Sequence, residues 1–292
     1  MTATRIFNLS KPLALVIALL CPWTFKASAI VIQHTVADSK HLISKRDNPI
    51  PGLATIYRDG GHGVLVAPKW VVTVAHATFC LRPGRAIEVD GQKVAVARIH
   101  NHPDYQPQAT HDIALLELAT PITSSDYMAL PDHPAQAGQI IRFAGIGGTG
   151  NGLTGQTIDN GENQGRLRYG ENRISRIDPL LIYSDFDKPT TPHALPLEAS
   201  LADGDSGTPL MVEQQGQQVL VGLASRALKP FEPAGKYGAV DIHTRVLPFV
   251  PWIKQVMTAT QPDTQLSVPI TGRLPFGVRA DQLNSICKQI NF

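Results

Sequence analysis

With 292 residues, 43% of them apolar and 17% charged, the chain holds enough apolar material for one large packed domain or two modest ones, which excludes a disordered protein. Twenty-four Gly and 23 Pro beside 6% aromatics suit a turn-rich all-β chain better than one of long helices. The 26 Lys and Arg barely exceed the 24 Asp and Glu, and no basic cluster supplies an electrostatic footprint for nucleic acid.

Residues 1–29 read as a bacterial-style secretory signal. Arg5 and Lys11 give the positive start, Leu13 to Leu20 is an apolar run too short for a stable membrane anchor, and Ala27-Ser28-Ala29 supplies small residues for cleavage. Cleavage after Ala29 removes Arg5, Lys11 and Lys26 and no acid, leaving 23 basic against 24 acidic residues. No later segment is apolar enough to cross a bilayer, so the expectation is a secreted protein, extracellular or periplasmic, without stable membrane insertion. Cys80 and Cys287 remain after cleavage, in a compartment where they could form one disulfide or stay as two separate buried thiols.

Short β-branched runs then follow one another: Val64 to Val66, Val71 to Val74, Val94 to Ile99, Ile113 to Leu118, Gln139 to Ala144, Leu180 to Tyr183, Pro209 to Val212 and Val219 to Leu223. Gly, Pro, Asn and Asp punctuate them, as in barrels or a sandwich. Thr149 to Asn163, rich in Gly, Asn, Thr and Asp, reads as a loop. Two stretches have helical spacing: Pro251 to Thr258, with Trp252, Ile253, Val256 and Met257 on one face, and Ala280 to Ile290. Pro262, Pro269 and Pro275 predict an extended path before the second.

Three residues stand out by context. His76 ends the run Trp70-Val71-Val72-Thr73-Val74-Ala75-His76, Asp112 opens Asp112-Ile113-Ala114-Leu115-Leu116, and Ser206 sits in Gly204-Asp205-Ser206-Gly207, a turn that presents a hydroxyl together with backbone N–H groups. In this order and context the segments over residues 30–257 resemble the trypsin/chymotrypsin family of serine peptidases, here as a secreted bacterial-type member. The resemblance implies two six-stranded antiparallel β-barrels, one within about 30–138 and one within about 139–257, followed by a C-terminal helix and an extension over 258–292. It implies an endopeptidase acting on proteins or peptides: Ser206 as nucleophile, His76 as general base, Asp112 fixing the imidazole, and Gly204 and Ser206 N–H as the oxyanion hole. It also pairs an ammonium at Ile30 with Asp205, and places Ser225 behind the buried aspartate.

By the family's spacing Ser200 lies at the base of the primary specificity pocket, Ala227 and Arg226 lie at its mouth, and a neutral base favours large apolar or aromatic side chains. Asp241 falls on the pocket wall if the register is anchored on Thr244-Arg245-Val246, and outside if it is anchored on Gly238. Gly61 and Ala77 occupy the two positions of the disulfide that usually flanks the catalytic histidine, and Thr208 replaces a second glycine. No cofactor is expected, since Gly145-Ile146-Gly147-Gly148-Thr149-Gly150 matches a dinucleotide fingerprint without its helix. No metal is expected either: His100-x-His102 with Asp104 lacks further ligands at recognisable spacing, and His62 and His111 have no defined role.

Overall fold

A computed structural model describes residues 30–123, 126–228, 233–259, 266–267, 274 and 278–290. The signal segment and Pro262, Pro269 and Pro275 lie outside them. A short strand β1 (Ile30–Ile32) comes first, then β2 (Leu53–Tyr57), β3 (Gly60–Ala67), β4 (Trp70–Thr73), β5 (Ala86–Val89), β6 (Gln92–Asn101) and β7 (Ala114–Leu118). The last six close into a barrel in the order β2-β3-β4-β7-β6-β5. Its centre is made by the β-branched runs: Val71 and Val72 face Leu116 and Leu115 across the β4–β7 ladder, all four fully buried. Each such side chain contributes roughly 1.5–3 kcal/mol of burial.

The second barrel takes β8 (Ile140–Gly145), then, beyond a hairpin of β9 (Thr149–Asn151) and β10 (Gly155–Ile158), β11 (Arg168–Ile177), β12 (Leu181–Asp185), a two-residue β13 (Ala199–Ser200), β14 (Pro209–Gln214), β15 (Gln217–Ala227) and β16 (Val240–Arg245). It closes as β11-β12-β16-β15-β14-β8. The two barrels answer the fold expectation. The loop expected over Thr149 to Asn163 is corrected: β9 and β10 are strands because β1 gives β9 a parallel partner, Ile30 opposite Thr149 and Val31 opposite Gly150, and β13 completes the four-stranded sheet. β1 belongs to neither barrel.

Helix α1 (Val250–Thr258) turns Trp252, Ile253 and Val256 into the same apolar cluster as the first barrel, so the C-terminal end of the second half clamps the first. Helix α2 (Leu283–Gln289) buries no residue fully. A disulfide between Cys80 and Cys287, Cα atoms 5.3 Å apart, ties it to the loop behind His76. Among the described residues no helix is long and apolar enough to cross a membrane.

Candidate active site

The site forms where the barrels meet, and among the hydrogen bonds across that seam four position the site directly. Gly61 N–H donates to Gly204 O at 2.7 Å, and His62 N–H to Ser206 O at 2.7 Å. The Thr244 hydroxyl donates to Asp112 O at 2.8 Å, and the Ser225 hydroxyl to Asp112 Oδ2 at 2.7 Å. The first pair binds the end of β3 to the serine loop. The second binds Asp112, two residues before β7, to β15 and β16. Gly207, at φ +78°, lies so close to the first barrel that a Cβ would stand 2.1 Å from His62 O. Only glycine passes there.

Three side chains far apart in sequence converge across this seam. His76 Nδ1 is 2.7 Å from Asp112 Oδ2, its backbone N–H donates to Asp112 Oδ1 at 2.9 Å, and its Nε2 is 2.7 Å from Ser206 Oγ. Burial alone would raise the Asp112 pKa, but the His76 charge and the bonds from His76 and Ser225 outweigh it and hold the group below the ordinary carboxylate value. Asp112 is therefore an anion aimed at one ring nitrogen. That fixes the tautomer and leaves the other nitrogen to accept the serine proton.

Asp205 is buried, its Oδ1 accepting from Gly147 N–H at 2.9 Å and its Oδ2 from Ala202 N–H at 3.0 Å. Burial pushes its pKa up to about 7 against the pull of those two donors, with Asp241 and Asp203 adding to the rise. A Cβ on Gly145 or Gly147 would collide with the Asp205 carboxylate, so the glycine run that imitates a dinucleotide fingerprint is the cradle of this acid. Ile30 is fully buried, and its carbonyl accepts from Thr149 Oγ1 at 2.9 Å, two residues beyond the Gly147 that holds Asp205. His62 is also buried there, Nε2 3.9 Å from Asp205 Oδ1 and accepting from Ile146 N–H at 3.2 Å, and burial lowers its pKa to about 4. Sequence reasoning gave His62 no role, because nothing local marks a histidine that faces the other barrel.

The cavity beside Ser206 is lined by Asp203, Ser225, Arg226, Ala227 and Asp241 among others. Asp241 lies opposite Ala227 on β15, and both line this cavity. Ser200 is wholly buried and donates its hydroxyl to the Asp241 carboxylate, at 2.9 Å to Oδ2, while Leu201 N–H donates to the same oxygen at 3.0 Å. Ser200, read from the sequence as a neutral pocket base, lies behind the lining and has its hydroxyl bound to an acid. Arg226 Nη2 donates to Ala109 O at 2.9 Å, which ties the pocket mouth to the loop before Asp112.

Tyr57 stands in for the missing disulfide. A Cβ on Gly61 would lie 3.0 Å from its ring, and its hydroxyl donates to Ala77 O at 2.6 Å, so the ring spans the two positions where cysteines are absent.

A profile of the trypsin family matches residues 44–253. Serine protease 56 of Homo sapiens is 30% identical over 227 residues, and its Mus musculus counterpart is 30% identical over 226; each alignment covers 68% of this chain and 34% of the relative. The chain thus spans about a third of the length of these curated relatives. Both are mammalian, and the bacterial-type reading of the signal finds no support in them. Among solved structures, neuropsin, a serine protease expressed in the limbic system of mouse brain, superposes with a TM-score of 0.57 over 74% of this chain and 98% of its own at 20% identity, a likeness of fold. Two closed antiparallel barrels, a His–Asp–Ser convergence at their seam and a family match across both establish that this chain belongs to the trypsin family.

Proposed function

We propose that this chain is a secreted serine endopeptidase. Ser206 Oγ attacks the scissile carbonyl as His76 Nε2 takes its proton, an acyl-enzyme forms on Ser206, and His76 returns the proton to the departing amine. Water, activated by the same imidazole, then releases the acid product. The Gly204 and Ser206 N–H groups receive the oxyanion. Neither is engaged by an acceptor among the described residues, and removing one such donor typically costs about 100-fold or more in kcat. The observation that carries this reading is the single imidazole placed 2.7 Å from both Ser206 Oγ and Asp112 Oδ2. A fluorophosphonate probe is expected to label the wild type and to leave Ser206→Ala unlabelled. Labelling of both would remove Ser206 from the role.

Specificity follows from the pocket. Asp241 favours a lysine or arginine side chain over the apolar one expected from Ser200 alone, because a carboxylate shielded from water attracts a cation far more strongly than one in solvent. Signal removal after Ala29 would free an ammonium on Ile30, whose carbonyl is held by Thr149, two residues from the Gly147 that donates to buried Asp205; that acid has two backbone N–H donors and no Lys or Arg salt bridge among the described residues. That ion pair would order the loop bearing Gly204 and Ser206. The disulfide suits an oxidising, extracellular setting.

A further inference from the structure

The hairpin joining β6 to β7 gathers three ligand-bearing side chains that the peptidase chemistry leaves unused. Asn101 pairs with Ala114, His102 N–H donates to Ile113 O at 3.1 Å, and Gln106 N–H donates to Thr110 O at 3.0 Å, so the two limbs close on themselves. His102 leaves one limb and His111 the other. Their rings face each other with centroids 5.0 Å apart and planes inclined by 34°. The turn that returns Tyr105 N–H to His102 O brings Asp104 to the same place. One donor atom from each of His102, Asp104 and His111 lies within 4.8 Å of the other two. His100, which the sequence pairs with His102, instead lies beside Glu117 and Trp70. The ligand missing from the linear pattern is supplied by the other limb.

We propose that His102, Asp104 and His111 bind a divalent transition-metal ion of the zinc class, and that occupancy lowers peptidase activity. Two imidazoles and one carboxylate are a donor set zinc accepts, with water completing four-coordination. Zinc–ligand bonds of 2.0–2.2 Å separate tetrahedral donors by roughly 3.4 Å, so the cluster must contract by about 1–1.5 Å. Asp104 is exposed and free to turn inwards, and His111 is half exposed. His102 is the fixed member, packed 4.9 Å from the Trp252 ring and 5.2 Å from Phe249. That apolar wall shields one side of the site from water. His111 moreover holds φ at +58°, a left-handed conformation that a residue with a Cβ adopts at a cost of about 1–2 kcal/mol. Such strain often accompanies functional positions.

The inhibitory part rests on the peptidase reading, whereas binding does not. His111 directly precedes Asp112, whose two oxygens hold His76 at 2.7 and 2.9 Å. The same hairpin carries Ala109, the acceptor of Arg226 at the pocket mouth. Drawing the His111 ring towards a metal therefore pulls on the group that orients the general base. A misplacement of about 1 Å at a catalytic group can cost on the order of 100-fold in rate.

Binding is measured on the full secreted chain carrying Ser206→Ala, by following the visible absorption of cobalt(II) and its displacement by zinc alone. One ion per chain with tetrahedral absorption is expected, weakened at least tenfold by Asp104→Asn and by His111→Asn, asparagine being tolerant of the left-handed backbone. In the wild type, zinc should inhibit hydrolysis over the concentration range in which it displaces cobalt. Asp104→Asn should keep the metal-free activity and need at least ten times more zinc for the same inhibition. No stoichiometric binding, or binding unchanged in both variants, overturns the site. Binding without inhibition of an active wild type overturns the coupling. A chain that binds cobalt but hydrolyses no peptide defeats the peptidase reading and leaves the site standing.

Discussion

Asp241 is a carboxylate out of water that accepts from Ser200 and Leu201, and burial nevertheless pushes its pKa up to about 7, with Asp185 adding to the rise. Raising pH through that value ionises the acid and increases the attraction for a cationic substrate side chain. The ratio of kcat/KM for an arginine substrate over a leucine substrate should therefore climb between about pH 6 and 8, since kcat/KM reports the free enzyme. Any protonation step shared by the two substrates cancels in the ratio. Asp241→Asn should flatten the climb and lower the ratio by about 10- to 100-fold, the worth of a hydrogen bond to a charged group at 1.5–3 kcal/mol. A leucine preference unaltered by the substitution would return the pocket to the apolar class. Tyr57 makes a separate test of stability. Tyr57→Phe keeps the ring against Gly61 but leaves buried Ala77 O without its 2.6 Å donor, so urea denaturation should show a loss of about 1–3 kcal/mol. An unchanged midpoint would mean that the ring alone braces the loop.

Strand β1 is three residues long and could not persist by itself. It lies between β9 and β13 with all three residues buried, so the sheet exists only where residues about 120 and 170 positions away supply partners, as in the pairings Ile30 to Thr149 and Val31 to Ser200. If its ammonium pairs with Asp205, the position of the first residue matters as much as its identity. N-terminal sequencing of the active secreted protein should read Ile-Val-Ile-Gln. A variant that retains one methionine ahead of Ile30 should lose at least tenfold in kcat/KM while its thermal melting stays cooperative. An active form beginning near Asp47 would defeat the idea, because β1 would then be gone. In contrast, α1 needs little help: its apolar residues recur at helical spacing, Pro251 sits in its first turn, and the expected span Pro251 to Thr258 differs from Val250–Thr258 by one residue.

The assembled molecule is held by barrel-to-barrel bonds at the seam, by α1 packed on the first barrel, and by one covalent link. Cys80 and Cys287 are separated by 207 residues, so opening their bond releases a very long loop in the unfolded chain, worth about 3–5 kcal/mol. Replacing both by alanine should lower the melting temperature by on the order of 10 °C. Activity at low temperature should persist, since none of the bonds around His76 passes through α2. A melt indistinguishable from wild type would show the tail to be ornamental.

Most of the architecture was legible before folding. The runs beginning at Val64, Val71, Val94, Ile113, Gln139, Leu180, Pro209 and Val219 each overlap a strand to within a residue at the start, because a half-buried or buried strand demands apolar residues locally. His76, Asp112 and Ser206 were legible too, since each lies in a distinctive local segment. Four of the twelve barrel strands, β2, β5, β11 and β16, were not. The buried faces of β11 and β16 carry Arg168, Asn172, Asp241, His243 and Thr244, and a polar residue can be buried only if a distant partner satisfies it. Arg168, for example, reaches Asp38 across 130 residues with both oxygens engaged, at 2.7 and 2.9 Å. The same reasoning covers the bond from Ser200 to Asp241, the meeting of His102 with His111, and the bridge from Cys80 to Cys287. Composition and periodicity set which segments become strands and helices, because hydrophobic burial acts on side chains one at a time. Packing alone determined which polar groups meet, because hydrogen bonds, ion pairs and disulfides need two partners brought within a few ångströms.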